Sequence, residues 1–420
     1  MKTNTMARAA VAVSAALLAL AFGRVEAAPA VGLSYLGQQI VPTGTLYAGT
    51  TVGGLSGIDR IAGTDRYLAI SDDRSALNPA RFYELQLDLS KFTRSATPGW
   101  GGVSFTAVTT IQTPSGAAFG TNQVDPESLR INPNNGKLVW SNEGDRLSGN
   151  LQNPTVREMN TDGSFSREFA VPGRYNPVGA GANDAGIRRN LAFETLTIST
   201  DGQTLYTATE NALVQDGPAA GVGVGSPSRV LSFNLATGQA GAEFVYNVDP
   251  VALAPNPAGG FATNGLVEML AVGDRQFIAV ERSFAAGAAT PGTGPNGLPT
   301  GNTIRLYMVD ARGATDVSAL DSLVGQAYTS ASKTLLLDLS DLRNDDGSAL
   351  ALDNIEGITW GPEVNGLKTL VLVSDNNFGG TQFTQFVALQ LTSPIPEPSA
   401  ALLMLPGLLV LAAVRRRQGR

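Results

Sequence analysis

The chain has 420 residues, with 36 acidic side chains against 29 basic ones, and it contains neither cysteine nor histidine. The lack of both residue types excludes disulfides, thiolate nucleophiles, Ser-His-Asp triads, histidine phosphatase chemistry and nearly every zinc site. Catalysis by such a chain would have to use carboxylates, hydroxyls, Lys, Arg, Tyr or a hard metal bound through oxygen.

The first 27 residues are typical of a secretory signal peptide. Lys2 and Arg8 precede an uncharged, mostly apolar stretch at residues 9–22, and Ala27 and Ala28 are candidate cleavage positions. The stretch is shorter than the roughly 20 residues that a helix needs to cross a bilayer. We therefore expect signal peptidase to remove residues 1–27 and the rest of the chain to cross the inner membrane.

An internal repeat organises residues 28–393. Each repeat has an apolar strand that opens with a small or acidic residue, a Gly/Asn/Asp turn, and a second strand that ends in an acid. The five copies lie at residues 54–73, 126–143, 193–210, 267–281 and 355–375.

The first four copies are each followed by two further strand-like runs, which gives four strands per repeat. This pattern predicts an all-β domain, a β-propeller of four-stranded blades, with five blades by repeat count. The fifth copy is followed by one run only, and we predict that residues 33–41 supply its outermost strand and close the ring. The long spacing between copies leaves a sixth blade as an alternative, and a β-sandwich is a rival architecture.

Residues 394–420 form a tail with a motif, an apolar span and a basic stop. Pro396-Glu397-Pro398 precedes an apolar segment at residues 400–414, and three arginines follow at 415–417. This tail resembles the PEP-CTERM sorting signal of Gram-negative bacteria, which implies a transmembrane helix and processing by an exosortase-type peptidase. The alternative is a plain membrane anchor. By the positive-inside rule the body lies outside, so we expect transient anchoring and then a cell-surface or extracellular location.

Without residues 1–27 and 399–420, the chain carries 22 basic and 35 acidic residues, a net charge of −13. Such an acidic surface repels phosphate backbones, so we expect no nucleic-acid partner. We also expect a monomer. An anionic ligand would need a bridging cation.

In a hairpin, the first residue of one strand lies beside the last residue of the next. We therefore expect the acids that open the repeats to form an inner ring at one mouth of the propeller channel: Glu127, Glu194, Glu268 and Glu356. The acids that end the second strands would form a wider ring behind them: Asp72, Asp73, Glu143, Glu210, Glu281 and Asp375.

So many carboxylates repel one another unless a cation binds them or some remain protonated. With no His or Cys in the chain, Ca²⁺ is the metal that best suits an all-oxygen site. Arg74, Arg146 and Arg282 follow second-strand acids and would share in neutralising them or bind an anionic substrate.

The alternative is that these acids are structural, fixing the ring through hydrogen bonds and pairs with the arginines. The long insertions at 172–190, 212–228 and 284–303 favour a binding site, because all three join strands on the acid-bearing face.

Several segments, read together, are similar to the phytase-like family described as having esterase-like activity. They include GGLSGID (53–59), YLAISDDR (67–74), DPESLRI (125–131), NGLVEMLAV (264–272) and NIEGITWGP (354–362). The resemblance implies a propeller-type fold and hydrolysis of phosphate or other esters, and it assigns no catalytic residue.

Two functional hypotheses follow. The first is an exported, calcium-dependent hydrolase of phytate-like phosphoesters or other esters. The second is a non-catalytic propeller that binds extracellular polysaccharide or a cell-surface partner.

Overall fold

The computed structural model describes residues 32–147, 150–179 and 184–392. The signal peptide predicted at 1–27 and the sorting tail predicted at 394–420 lie outside this part of the chain. Among the described residues, no helix has the length and apolar character needed to cross a membrane.

The described part of the chain is built from β-strands and three short 3-10 turns. It begins with β1 (Leu33–Val41) and a small hairpin of β2 (Leu46–Tyr47) and β3 (Thr50–Thr51). Blade 1 follows as β4 (Leu55–Arg60), β5 (Arg66–Ser71), β6 (Arg81–Leu87) and β7 (Val103–Thr110).

Blade 2 runs from β8 (Pro126–Ile131) and β9 (Leu138–Asn142), through the hairpin β10 (Asp145–Leu147) and β11 (Asn150–Gln152), to β12 (Thr155–Met159) and β13 (Phe165–Glu168). Blade 3 comprises β14 (Phe193–Ile198), β15 (Thr204–Thr209), β16 (Ser226–Asn234) and β17 (Ala240–Val248). Blade 4 comprises β18 (Ala262–Gly273), β19 (Gln276–Ala285), β20 (Asn302–Asp310) and β21 (Ser332–Asp338).

Blade 5 contains β22 (Asn354–Trp360), β23 (Thr369–Asp375) and β24 (Thr384–Leu391), and its fourth strand is β1 from the start of the chain. β1 and β24 are antiparallel, and the pairing runs from Leu33 opposite Leu391 to Val41 opposite Thr384. Beyond the last pair, the amide of Thr392 donates to the carbonyl of Gly32 at 2.9 Å. The predicted five-bladed propeller, closed by residues 33–41, is confirmed, and the six-blade and sandwich alternatives are wrong.

The first strands of the five blades contact one another in ring order around the central channel. The hydrophobic core lies between neighbouring blades. Tyr83 of blade 1 packs in one cluster with Phe386 of blade 5, and Tyr246 of blade 3 packs in another with Phe277 of blade 4. Strands covered on both faces read as continuous apolar, β-branched runs, and every residue of β23 is buried.

Inside the channel, Arg130 of β8 joins strands from several blades. Its guanidinium donates to the carbonyls of Leu196 at 2.6 Å and Ile358 at 3.1 Å, and also to that of Ile58. It forms an ion pair of 2.9 Å with Glu268 of β18. All five first strands therefore meet at one buried guanidinium, which we call the axle arginine.

Candidate functional site

A cavity of about 710 Å³ opens at the mouth where first strands begin and second strands end. Its lining is dominated by carboxylates. There are nine of them, and two arginines accompany them: Asp72, Asp125, Glu127, Glu143, Glu194, Glu210, Asp353, Glu356 and Asp375, with Arg74 and Arg282. We call this space the acidic cavity.

β-Bulges place the inner carboxylates. In blade 3 the pairing shifts between Phe193 and Thr195, so Glu194 lies in the bulge. The same shift places Glu356 in a bulge of blade 5, and Glu127 lies in the irregular start of β8. A bulge re-aims a side chain that regular pleating would direct elsewhere. The predicted inner ring is therefore present for these three glutamates.

The outer positions follow from the same register. In each blade, the first-strand residue just before the bulge pairs with a residue near the end of the second strand. The residue that follows this partner in the second strand lines the cavity. These five residues are Asp72, Glu143, Glu210, Arg282 and Asp375.

Glu268 was predicted in the inner ring, and that position is wrong. The bulge of blade 4 lies between Leu266 and Glu268, so Val267 takes the place that glutamate has in blades 2, 3 and 5. One residue further along, Glu268 points into the channel, where it accepts from Ser128 Oγ at 2.6 Å and pairs with the axle arginine. A shift of one residue reverses the direction of a strand side chain.

Glu281 was also predicted at the mouth, but it pairs with Leu266, the residue before the bulge. The next residue, Arg282, therefore lines the cavity instead. The Glu281 carboxylate instead accepts from the Tyr246 hydroxyl at 2.7 Å and from the Lys333 ammonium. It also accepts from the Asn264 amide at 2.9 Å. These contacts lie beside the cavity, within blades 3 and 4.

Two more predicted residues lie outside the acidic cavity. Asp73 forms a buried ion pair of 2.7 Å with Arg81 and accepts from backbone amides of residues 76–78, so it organises the loop after β5. Arg146 pairs with Asp184 and donates to the carbonyl of Ala185 at 2.6 Å. Arg146 therefore binds the described residues of the insertion at 172–190.

Asp125 and Asp353 line the cavity but were not predicted from the sequence. Both precede a first strand instead of belonging to it, and the repeat pattern was read from strand residues alone. Asp125 pairs with Arg74, and Asp353 accepts from the amides of Phe383 and Asn354. An acid placed shortly before each of the repeat glutamates Glu127 and Glu356 was the available signal.

The cavity has two halves, each with one arginine. In the first half, carboxylate oxygens of Asp125, Glu127 and Glu143 lie within 4.8 Å of one another. Arg74 pairs with Asp125 and lies 3.7 Å from Glu143. Burial raises the pKa of all three carboxyls, and the neighbouring negative charges add to the effect for Asp125 and Glu127.

In the second half, Arg282 lies 3.1 Å from Glu356 and 3.5 Å from Glu210. Burial raises the pKa of Glu356 to about 8, although Arg282 opposes the shift. The pKa of Glu194 is also raised, first by burial and then by the charges of Glu143 and Glu210. One arginine is too few to neutralise these carboxylates.

Two glycines make room for the acids. A Cβ at Gly265 would lie 1.9 Å from Glu210 Oε1, and a Cβ at Gly54 would lie 2.0 Å from Asp72 Oδ1. Gly54 also has a φ of +63°, which disfavours any other residue. Within the described part of the chain, Asp72 Oδ1 and Glu210 Oε1 are buried and accept no hydrogen bond.

Three insertions connect strands on the side of the propeller where this mouth lies. Residues 172–190 join β13 to β14, residues 212–228 span the β15–β16 connection, and residues 284–303 span the β19–β20 connection. The first contributes Asn190 to the cavity wall, and the third contributes Asn296, Pro299 and Thr300.

The arrangement offers oxygen ligands only, at several adjacent positions, with more negative than positive side chains. Buried carboxylates without partners are costly unless a cation or protons neutralise them. The residues present therefore fit a hard, oxygen-seeking cation better than a transition metal.

Comparison with known proteins gives one family match. The model of the phytase-like family, described as "Esterase-like activity of phytase", matches residues 50–378. No curated protein matches the chain. A solved structure described as "Structure of Dos1 propeller" is similar at 8% identity and a TM-score of 0.32, over 81% of this chain and 69% of that one. Since the family match covers most of the propeller, the chain belongs to the phytase-like family.

Proposed function

We propose that this protein is an exported hydrolase of phosphoesters or related anionic esters, and that it acts through cations held in the acidic cavity. The observation that carries the proposal is the meeting of nine carboxylates and two arginines around one cavity of about 710 Å³. Membership of the phytase-like family is consistent with a hydrolase.

Ca²⁺ is the proposed cation because the donor set is entirely oxygen. Asp125, Glu127 and Glu143 would hold one ion, since their oxygens already lie within 4.8 Å of one another. Asp72 and Glu210 each offer a further buried oxygen that accepts no hydrogen bond from a described residue. A bound ion would supply electrophilic stabilisation to phosphoryl oxygens and lower the pKa of a coordinated water.

The chain's own residues would bind and orient the substrate. Arg74 and Arg282 lie in opposite halves of the cavity, where each guanidinium can donate to an anionic group. The Arg282 Nε is buried and donates to no acceptor within the described residues. Residues of all five blades line the cavity.

The test is hydrolysis by the purified protein of phytate and of simple phosphomonoesters, with added Ca²⁺ or with a chelator. We expect turnover with Ca²⁺ and its loss with the chelator. Glu143→Gln should lower Ca²⁺ affinity and turnover together. Glu84→Gln is the matched control, because Glu84 pairs with Arg66 at 2.6 Å on the surface of blade 1.

Turnover that persists in the chelator and in Glu143→Gln would contradict the mechanism. Binding of extracellular polysaccharide without any turnover would instead support the non-catalytic propeller. Export and surface sorting remain part of the proposal, and they rest on the sequences of residues 1–27 and 394–420.

A further inference from the structure

At the mouth of the acidic cavity, the first hairpin of blade 4 extends further than the first hairpins of the other blades. Leu266 in β18 corresponds to Phe193, the first residue of β14, because each lies just before the bulge of its blade. β18 nevertheless begins at Ala262, so it extends beyond this equivalent position. The extension is paired with the end of β19, from Gly265 opposite Arg282 to Ala262 opposite Ala285. The same part of β19 also pairs with β20, from Arg282 opposite Ile304 to Phe284 opposite Asn302. A three-stranded wall therefore stands beside the half of the cavity that contains Arg282.

Two phenylalanines occupy this wall, and both line the cavity. The side chain of Phe261 is 69% exposed, and Phe284 is half-buried beside it. Their ring centroids are 6.1 Å apart with planes at 40°. Gly301 lies close to Phe284, since a Cβ there would come within 3.0 Å of the ring, so a larger residue at this position would displace Phe284.

An aromatic ring this exposed loses the free energy of burial, about 25 cal/mol per Å² of apolar surface. Phe261 is not needed to fill the core. It directly adjoins a cavity lined by charged groups, and polar side chains stand on the same side: Thr263, Thr300 and Asn302. An apolar face beside polar groups is the usual design of a ligand site that fixes both a ring and its substituents.

We propose that Phe261 and Phe284 bind the organic ring of the substrate while its anionic group lies among the carboxylates and Arg282. This inference rests on the proposed function and narrows it. The substrate class is a monoester whose alcohol carries a ring with one bare apolar face, such as an aryl or a sugar ring. A ring substituted by phosphate at every position has no such face, so fully phosphorylated inositol would be a poorer ligand.

The test measures binding without chemistry. Calorimetry with Ca²⁺ present compares phenylphosphonate, which has a ring, with methylphosphonate, which has none. The methylene phosphonate analogue of glucose 1-phosphate, which cannot be hydrolysed, distinguishes a sugar from an aryl ring. We expect the ring compound that fits to bind about tenfold more tightly than methylphosphonate, the range of one good aromatic contact.

Phe261→Ala should reduce that ratio towards one, and Phe261→Trp should preserve it. Trp100→Ala is the control, because Trp100 is an exposed aromatic, 41% accessible, outside the cavity lining. It should leave the ratio unchanged.

A ratio near one in the unmodified protein, no binding of any of the three compounds, or a ratio that Phe261→Ala does not alter would overturn the inference. A ratio that behaves as expected in a protein without esterase turnover would uphold ring binding and refute the hydrolase. The two failures are therefore distinguishable.

Discussion

The axle arginine provides the sharpest test of what holds the ring together. Replacing Arg130 by Met keeps an unbranched side chain of similar length but removes the guanidinium. The carbonyls of Leu196 and Ile358, 2.6 and 3.1 Å from that group, would lose their donor, and Glu268 would lose its partner at 2.9 Å. All these groups are buried, so water cannot replace the lost donor without entering the channel.

Removal of one partner from a buried ion pair typically costs 3–5 kcal/mol, and a hydrogen bond from a charged donor contributes about 1.5–3 kcal/mol. These contributions overlap, so we expect Arg130→Met to lower the free energy of unfolding by about 3–5 kcal/mol. Burial raises the pKa of Glu268 to about 7, so this carboxyl can protonate once Arg130 is gone, which limits the loss. The double variant Arg130→Met/Glu268→Gln should therefore recover part of the loss.

Urea unfolding followed by circular dichroism measures the change, provided that the dependence on urea keeps its slope. Arg66→Met is the matched control: Arg66 is half-exposed and pairs with Glu84 at the surface, so its loss should cost less than about 1 kcal/mol. If Arg130→Met costs no more than this control, the guanidinium does not hold the first strands together, and the reasoning is refuted.

Three further predictions concern the cavity and the closure of the ring. Burial raises the pKa of the cavity carboxyls, to about 8 for Glu356, so the folded state keeps protons that the unfolded state releases above its ordinary carboxyl pKa. Without Ca²⁺, the free energy of unfolding should therefore fall as the pH rises from about 4.5 to 8. Thermal unfolding with and without Ca²⁺ should show that the ion restores the lost stability. Stability that rises over this interval would contradict the assigned pKa direction. Gly265→Ala would place a methyl group 1.9 Å from Glu210 Oε1, so calorimetry should find weaker Ca²⁺ binding, whereas Gly313→Ala, which meets no atom within 4 Å, should bind as the unmodified protein does. Removing residues 33–41 exposes the edge of β24, so size-exclusion chromatography should detect aggregates. A peptide with the sequence of residues 33–41 should suppress this aggregation. A monomer that unfolds as the unmodified protein does would show that β1 is dispensable.

The fivefold architecture could be predicted from the sequence because each blade repeats its strand and turn pattern. The missing fourth strand of blade 5 also pointed to residues 33–41. Side-chain direction was harder to predict, because it depends on where each bulge lies. In blade 4, Glu268 matches the letter pattern of Glu194, but the bulge at Val267 turns it into the channel. The position of the Glu268 side chain in the channel is stabilised by Ser128 and Arg130, which are distant from Glu268 in sequence.

Consecutive acids raised a similar difficulty. Asp72 and Asp73 are adjacent, but only Asp72 lines the cavity, because Asp73 turns back to Arg81. Because both residues carry the same charge, the sequence did not indicate which of the two lines the cavity. The aromatic wall of blade 4 was also invisible in the repeat, since the extension of β18 and β19 lies outside the shared pattern.

The closure of blade 5 also places both described ends of the propeller on one face. β22 starts and β23 ends beside the acidic cavity, so β24 runs away from it and finishes on the opposite side. There Thr392 is hydrogen-bonded to Gly32, which brings the two ends of the propeller to a single point. Gly32 and Thr392 therefore lie on the face opposite the acidic cavity, so a large substrate would reach the opening without meeting either residue.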